Sequence, residues 1–331
     1  MAFRDWLVFS RTHTAALTIP GALMGAFLAD PATTPTRLAL VGVWAWLAHG
    51  AGFAVNNLLD LAWDRADPNK RHHPLVSGAI QERDAWLATL LASFAALVLG
   101  CWLGRDHPAS WLALWGFVGF GTLYNHQCKV SLLAPLWISV SFACIPLYAW
   151  LAMGGGWSWT ILYLVAYSFL LMVAQIAVSG YAKDLACAGE VNLLRRWGAE
   201  VTPRGEWHFP VEAIMMAFVL RWALATLGAF YFALHLPIQV GALTGVAIQC
   251  VAAWVLCGPL LRTLRNGWMP RAQRVKWMGL AEILAYWFLV GSLAFDLPVA
   301  WVVGLMVAPL AYYVVANRVY WGRGHALGPA V

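Results

Sequence analysis

Residues 37–78 read RLALVGVWAWLAHGAGFAVNNLLDLAWDRADPNKRHHPLVSG. The first half is an apolar run whose only charge is Arg37. It has the length of a membrane-spanning helix, roughly 20 mostly apolar residues. The run then changes character. Asn56, Asp60 and Asp64 recur at every fourth position, which on a helix lines them along one face. Lys70, Arg71, His72 and His73 follow, and Pro74, Ser77 and Gly78 read as a turn. An apolar helix that ends in stacked carboxylates and then in cations sets the two questions asked of the rest of the chain. How many such helices are there, and what do their polar ends do?

Working outward, similar apolar runs lie near 14–30, 84–103, 109–125, 132–152, 159–181, 212–234, 238–260, 275–294 and 298–317. Together with 37–58 they make ten candidates. The last two are joined so tightly that nine or ten spans are expected. The expected fold is all-α: a polytopic membrane helical bundle forming one domain over 1–331, with no linker and no low-complexity tract. Composition agrees. Of 331 residues, 62% are hydrophobic and only 11% charged, whereas a soluble domain is about 25% charged. That arithmetic excludes a soluble enzyme, a disordered scaffold and a secreted disulfide mini-protein. The 21 Trp suit the lipid–water interface, so membrane lipid is the expected surround.

The net charge of +6 reads as retained cytoplasmic Lys and Arg; nucleic acid is not an expected partner. With a cytoplasmic N-terminus, 18 of the 21 Lys and Arg fall inside, Arg37 and Arg105 fall outside, and Arg221 is left within a span. The asymmetry predicts an integral membrane protein whose acidic loops face the cytoplasm. The six Cys form no CxxC pair and read as small hydrophobes.

Two ionised carboxylates at the mouth of an apolar bundle need compensation. Hard oxygen donors at this spacing suit Mg²⁺, which keeps several waters and shares its sphere with substrate phosphates. Cations beside such a cluster suit a diphosphate. The plainer alternative is a solvated loop with helix-capping acids. The adjacent His72 and His73 do not face one site on a helix or strand, which argues against a transition-metal pair.

The string NNLLDLAWDRADPNKRHHPLVSG resembles the first aspartate-rich motif of the UbiA superfamily of intramembrane prenyltransferases. That pattern is N-x-x-x-D-x-x-x-D, then a basic residue and R-P-L-x-S-G. Here Asn56, Asp60, Asp64, Pro74, Leu75, Ser77 and Gly78 match. His73 stands where the family usually has Arg, and Arg71 is the nearby replacement for that charge.

The resemblance implies more. In TLYNHQCKVS, after the fourth run, it assigns Tyr124 to catalysis and Lys129 to the diphosphate. In GYAKDLACAGEVNLLRRWG, after the sixth, the family carries a second acidic motif. Lys183 and Asp184 match its K-D opening, and Gly189 and Glu190 match its ending with Glu for Asp. Ala186 stands where its first aspartate would fall. Asp184 and Glu190 are about 120° apart on a regular helix, so sharing a metal requires a break, which Gly189 allows. Asn192 is a candidate oxygen ligand, and Arg195 and Arg196 are candidate phosphate contacts.

The implied site is therefore catalytic Asp60, Asp64, Asp184 and Tyr124. Lys70, Arg71, Lys129, Lys183 and Arg195 sit on the diphosphate. Asn56, Asp60, Asp64, Asp184 and Glu190 sit on Mg²⁺. The implied reaction moves an isoprenyl group from an allylic isoprenyl diphosphate to a lipophilic, aromatic acceptor. A terpene cyclase of the same superfamily uses the same first motif without an acceptor. A transporter is the reading from another class, but its charges would sit near the midplane. Tyr148, Trp150 and Tyr163 are offered to the cation or to plain packing. Arg221 either snorkels to the boundary or meets an acceptor carboxylate.

Overall fold

The computed structural model describes residues 3–67, 70–183, 185, 191–202 and 206–321. Among these, ten helices occupy the ten expected runs. They are α2 (Thr18–Ala29), α3 (Pro35–Leu59), α5 (Glu82–Leu103), α6 (Ala109–Gln127), α7 (Ala134–Ala152), α8 (Trp159–Ala174), α11 (Val211–Ala233), α12 (Ile238–Arg265), α13 (Arg271–Ser292) and α14 (Val299–Trp321). Short helices lie between them: α1 (Phe3–Phe9), α4 (Leu61–Ala66), α9 (Tyr181–Lys183) and α10 (Leu193–Arg196). Eight segments are long and apolar enough to cross a membrane. The remaining two, α6 and α13, fall short in apolarity. α6 closes on the polar turn Tyr124–Gln127, and α13 carries Arg274, Lys276 and Glu282.

Local chemistry sets the boundaries. Pro35 opens α3, where its missing N–H is no loss, and the Thr34 hydroxyl accepts the Arg37 amide at 3.3 Å. Ser158 caps α8 through the Ile161 amide in the same way. The α2–α7 crossing is close because Gly25 lies against the Pro146 carbonyl, which any Cβ there would strike.

Two apolar cores share α2. One face, with Ala22 and Ala26, packs with Trp44 and Ala45 of α3, Leu114 of α6 and Tyr148 and Ala149 of α7. The other face, with Met24 and Phe27, packs with α8, α11, α12, α13 and α14. The last helix meets the segment before α2: the Tyr312 hydroxyl of α14 donates to the Thr12 carbonyl at 2.6 Å. Tyr148 donates to the Gly100 carbonyl, Trp150 to the Gly156 carbonyl, and Tyr163 bonds Ser292. Tyr148 and Tyr163 are thus engaged between helices, and Trp150 with the loop that follows its own helix. A two-stranded antiparallel hairpin, Glu200–Val201 with Trp207–His208, lies in the loop after α8 and seats Trp207 against Leu260 and Leu264 of α12.

Candidate active site

Asp60 sits where α3 gives way to α4, with φ −82° and ψ −1°. Its amide bonds the Asn56 carbonyl at 2.9 Å, and the Asp64 amide bonds the Asp60 carbonyl at 2.9 Å. The helical path therefore runs through the motif, and the i, i+4, i+8 spacing expected from sequence is kept. Asn56, Asp60 and Asp64 are all buried. Lys70 Nζ lies 2.5 Å from Asp64 Oδ1.

The second polar loop closes on this turn. Cys128 Sγ donates to Asp60 Oδ1 at 3.5 Å, and Asn56 Nδ2 donates to that sulfur at 3.8 Å. Burial pushes the Asp60 carboxyl above the ordinary carboxylate range; the Lys129 charge opposes this and the Asp64 charge adds to it. Tyr124 lies one turn before Cys128, its carbonyl accepting the Cys128 amide at 2.7 Å. The third loop joins next: the Val191 amide donates to the Lys129 carbonyl at 2.9 Å. The polar ends of α3, α6 and the segment after α8 thus meet at one end of the bundle.

Not every sequence expectation is placed. Asp184 and Glu190 lie outside the described residues, as does the Lys183 side chain. Arg71 is exposed. Arg195 donates to the Leu185 carbonyl at 2.7 Å. Asn192 corrects its assignment as a metal ligand, because its Oδ1 caps α10 through the Leu194 amide at 3.0 Å and its Nδ2 donates to the Tyr181 carbonyl at 2.8 Å. Arg221 corrects both of its readings. It is fully buried and its NH2 lies 2.5 Å from Glu282 Oε1, a partner the sequence reading missed.

Two other residues matter here: Arg11, which the sequence did not assign to this site, and His73. Arg11 has φ 46°, a left-handed backbone rare for a side-chain-bearing residue. Its guanidinium donates to Asn57 Oδ1 at 2.7 Å and stacks 5.3 Å over the Phe53 ring. His73 has both ring nitrogens buried without a hydrogen-bond partner. Burial, with the Arg11 charge next in size, lowers its pKa to about 4. Arg11 therefore brings a cation to the position where the motif departs from its family. Sequence gave no sign of this, since 62 residues separate the two.

Does this donor set fit a metal? Among the described residues no three His, Cys, Asp or Glu side chains group closely enough to hold a metal by themselves. Two buried carboxylates and an amide fit a Mg²⁺ that completes its sphere with water and phosphate oxygen. Asp60, raised by burial beside Asp64, is a carboxyl that a nearby cation would restore to its charged form.

Comparison with known proteins gives the same direction. Over 230 residues the chain is 27% identical to the protoheme IX farnesyltransferase of Synechococcus sp. (strain JA-2-3B'a(2-13)), covering 69% of this chain and 68% of that one. It is 30% identical to the protoheme IX farnesyltransferase of Marinobacter nauticus over 158 residues, about half of each chain (47% and 52%). The fold is similar to that of a UbiA homologue from Archaeoglobus fulgidus solved with GPP and Mg²⁺, with a TM-score of 0.59 and 16% identity. That match covers 86% of this chain and 99% of the other. The UbiA prenyltransferase family model matches residues 18–258, and with its motif, its fold and that match the chain belongs to the UbiA prenyltransferase family.

Proposed function

We propose that the protein binds an allylic isoprenyl diphosphate with Mg²⁺ at Asn56, Asp60 and Asp64 and transfers the isoprenyl group to a lipophilic aromatic acceptor. The observation that carries this reading is the convergence of three polar loops on Asp60, joined through Cys128 and the Val191–Lys129 backbone bond. Asp184 and Glu190 are proposed to complete the metal set from the third loop.

Lys129 and Lys70 supply positive charge beside the acids; Arg11, near His73, is proposed to add to it, and Arg71, Lys183 and Arg195 are further candidates for the diphosphate. Bound Mg²⁺ would neutralise and polarise the diphosphate leaving group. The chain's part is to hold the diphosphate at this end by charge-assisted bonds and so favour its departure. Tyr124, one turn from Cys128, is proposed to face the same substrate. The apolar bundle is proposed to take the isoprenoid tail and to keep water from the allylic cation. Relatives are protoheme IX farnesyltransferases, which makes a porphyrin the first acceptor to try. The Lys- and Arg-rich end is proposed to face the cytoplasm.

The test uses purified protein in detergent with Mg²⁺ and geranyl, farnesyl or geranylgeranyl diphosphate, with and without protoheme. Diphosphate release and mass spectrometry of the organic phase are followed. Acceptor-dependent release with a prenylated porphyrin supports the reading. Cyclic hydrocarbon without acceptor replaces it by a cyclase. No Mg²⁺-dependent diphosphate binding overturns it.

A further inference from the structure

Helix α8 does not run on regularly into the second acidic motif. Residues Gln175–Gly180 form a π-helical turn, in which the Tyr181 amide reaches back five residues to the Ile176 carbonyl. Such a turn holds one residue more than an α-turn. Each residue advances the helix by about 100°, so the described residues directly after the turn are rotated by about that angle. The residues so rotated are Tyr181–Lys183, which lead directly into Asp184. A π-turn is rare, appears frequently at functional sites, and persists only where its surroundings hold it.

The hold is visible. Ser179, inside the turn, donates to Glu282 Oε1 of α13 at 3.1 Å. The same oxygen takes Arg221 NH2 of α11 at 2.5 Å, and Arg221 NH1 also reaches the Ala281 carbonyl at 3.5 Å. Before the turn, the Tyr167 hydroxyl donates to the Ala285 carbonyl at 2.7 Å. The irregular turn is therefore clamped to α13 on one side by Tyr167 and from within by Ser179. Beyond it, the Tyr181 carbonyl accepts from Asn192, and the Val191 amide next to Asn192 bonds the Lys129 carbonyl. A continuous set of bonds runs from Arg221 to the loop that touches Asp60.

The pair is poorly built for stability alone. Arg221 Nε and Glu282 Oε2 are buried and unpartnered. A buried ion pair with open bonds returns little stability compared with apolar side chains of the same volume. What it does supply is a fixed acceptor for Ser179. We infer that Arg221 and Glu282, acting through Ser179, are positioning residues that set the rotation of Tyr181–Lys183, the described residues that precede the second acidic motif in the chain. This inference rests on the proposed Mg²⁺–diphosphate site.

Three variants test it. Ser179→Ala keeps the ion pair, and Ser179→Thr keeps the hydroxyl. Arg221→Met with Glu282→Leu removes both charges together, so neither is left alone. Each is measured for thermal unfolding, for kcat and KM with an isoprenyl diphosphate, and for Mg²⁺-dependent binding of inorganic pyrophosphate by calorimetry. Ser179→Ala should fold and melt only a little below the parent, because Arg221 still pairs Glu282, yet raise KM and weaken pyrophosphate binding about tenfold. Ser179→Thr should restore both. The double variant should fold, show the same loss, and lose nothing further when Ser179→Ala is added. Parental KM and pyrophosphate affinity in both Ser179→Ala and the double variant would overturn the inference. Asp60→Ala serves as the control: if it keeps parental activity, the functional reading has failed and the positioning role falls with it.

Discussion

At the scale of single residues, the acids of the first motif are exposed to two clean tests. Asp60→Ala and Asp64→Ala should each lower kcat by about a thousandfold or more, as expected for groups that hold a developing leaving-group charge, with the fold intact by circular dichroism. Asp60 also carries a signature in stability. Between the ordinary carboxylate value of 3.8 and its higher folded value, the folded state holds a proton that the unfolded chain has released. Stability from this group therefore falls as pH rises through that window. Asp60→Asn should melt above the parent at neutral pH without metal, and should gain nothing from Mg²⁺ with pyrophosphate, which should raise the parent. His73 has the opposite sign. The unfolded imidazole takes its proton near 6.5 and the folded one only near about 4. Stability is lost as pH falls between these values, and His73→Gln should flatten that part of the melting curve. The acids were legible because a four-residue repeat announces a helix face. Arg11 was not, since its meaning lies in a partner 46 positions away. The rule that an intramembrane ion seeks a partner could have paired Arg221 with Glu282 from sequence.

At the scale of elements, every apolar run became a helix, because length and apolarity suffice where backbone groups must be satisfied internally. The departures come where local geometry is imposed by packing. The π-turn in α8 has no composition of its own; QIAVSG would serve equally in an α-helix. The junction between α1 and α2 is similar. Phe9 anchors α1 on Leu58 of α3, Leu61 of α4 and Leu75 of the first polar loop, and Arg11 turns the chain in a left-handed conformation. This junction allows charge and backbone to be separated. Arg11→Gly and Arg11→Ala both remove the guanidinium, and both should raise KM for the isoprenyl diphosphate about tenfold. Only glycine accepts φ 46° without strain, so Arg11→Ala should be the less stable of the two by about 1 kcal/mol. Equal KM changes with unequal melting would assign the charge to binding and the turn to folding. Parental KM in both would remove Arg11 from the site.

At the scale of the whole molecule, what matters is that the three polar loops occupy one end of the bundle. The alternation of apolar runs already required this: after an even number of crossings the chain is back on the side where it began. The distances between loops were not legible, because single-sequence periodicity places residues along helices and says nothing of which helices touch. The charge count is the ground on which a cytoplasmic orientation is proposed, with 18 of 21 Lys and Arg assigned to the same end as the acids. Ser77 is exposed in the first polar loop, and Gly156 is exposed between α7 and α8, where an added side chain meets nothing within 4 Å. In a background with the six native Cys replaced by Ala and activity checked, Ser77→Cys and Gly156→Cys report on opposite faces. A membrane-impermeant maleimide applied to intact cells should label Gly156→Cys and leave Ser77→Cys untouched until the membrane is permeabilised. That result would put the acids where a water-soluble allylic diphosphate reaches them from the cytoplasm while its acceptor arrives through the bilayer. The reverse pattern would break the positive-inside assignment and require the diphosphate to be delivered from the other side.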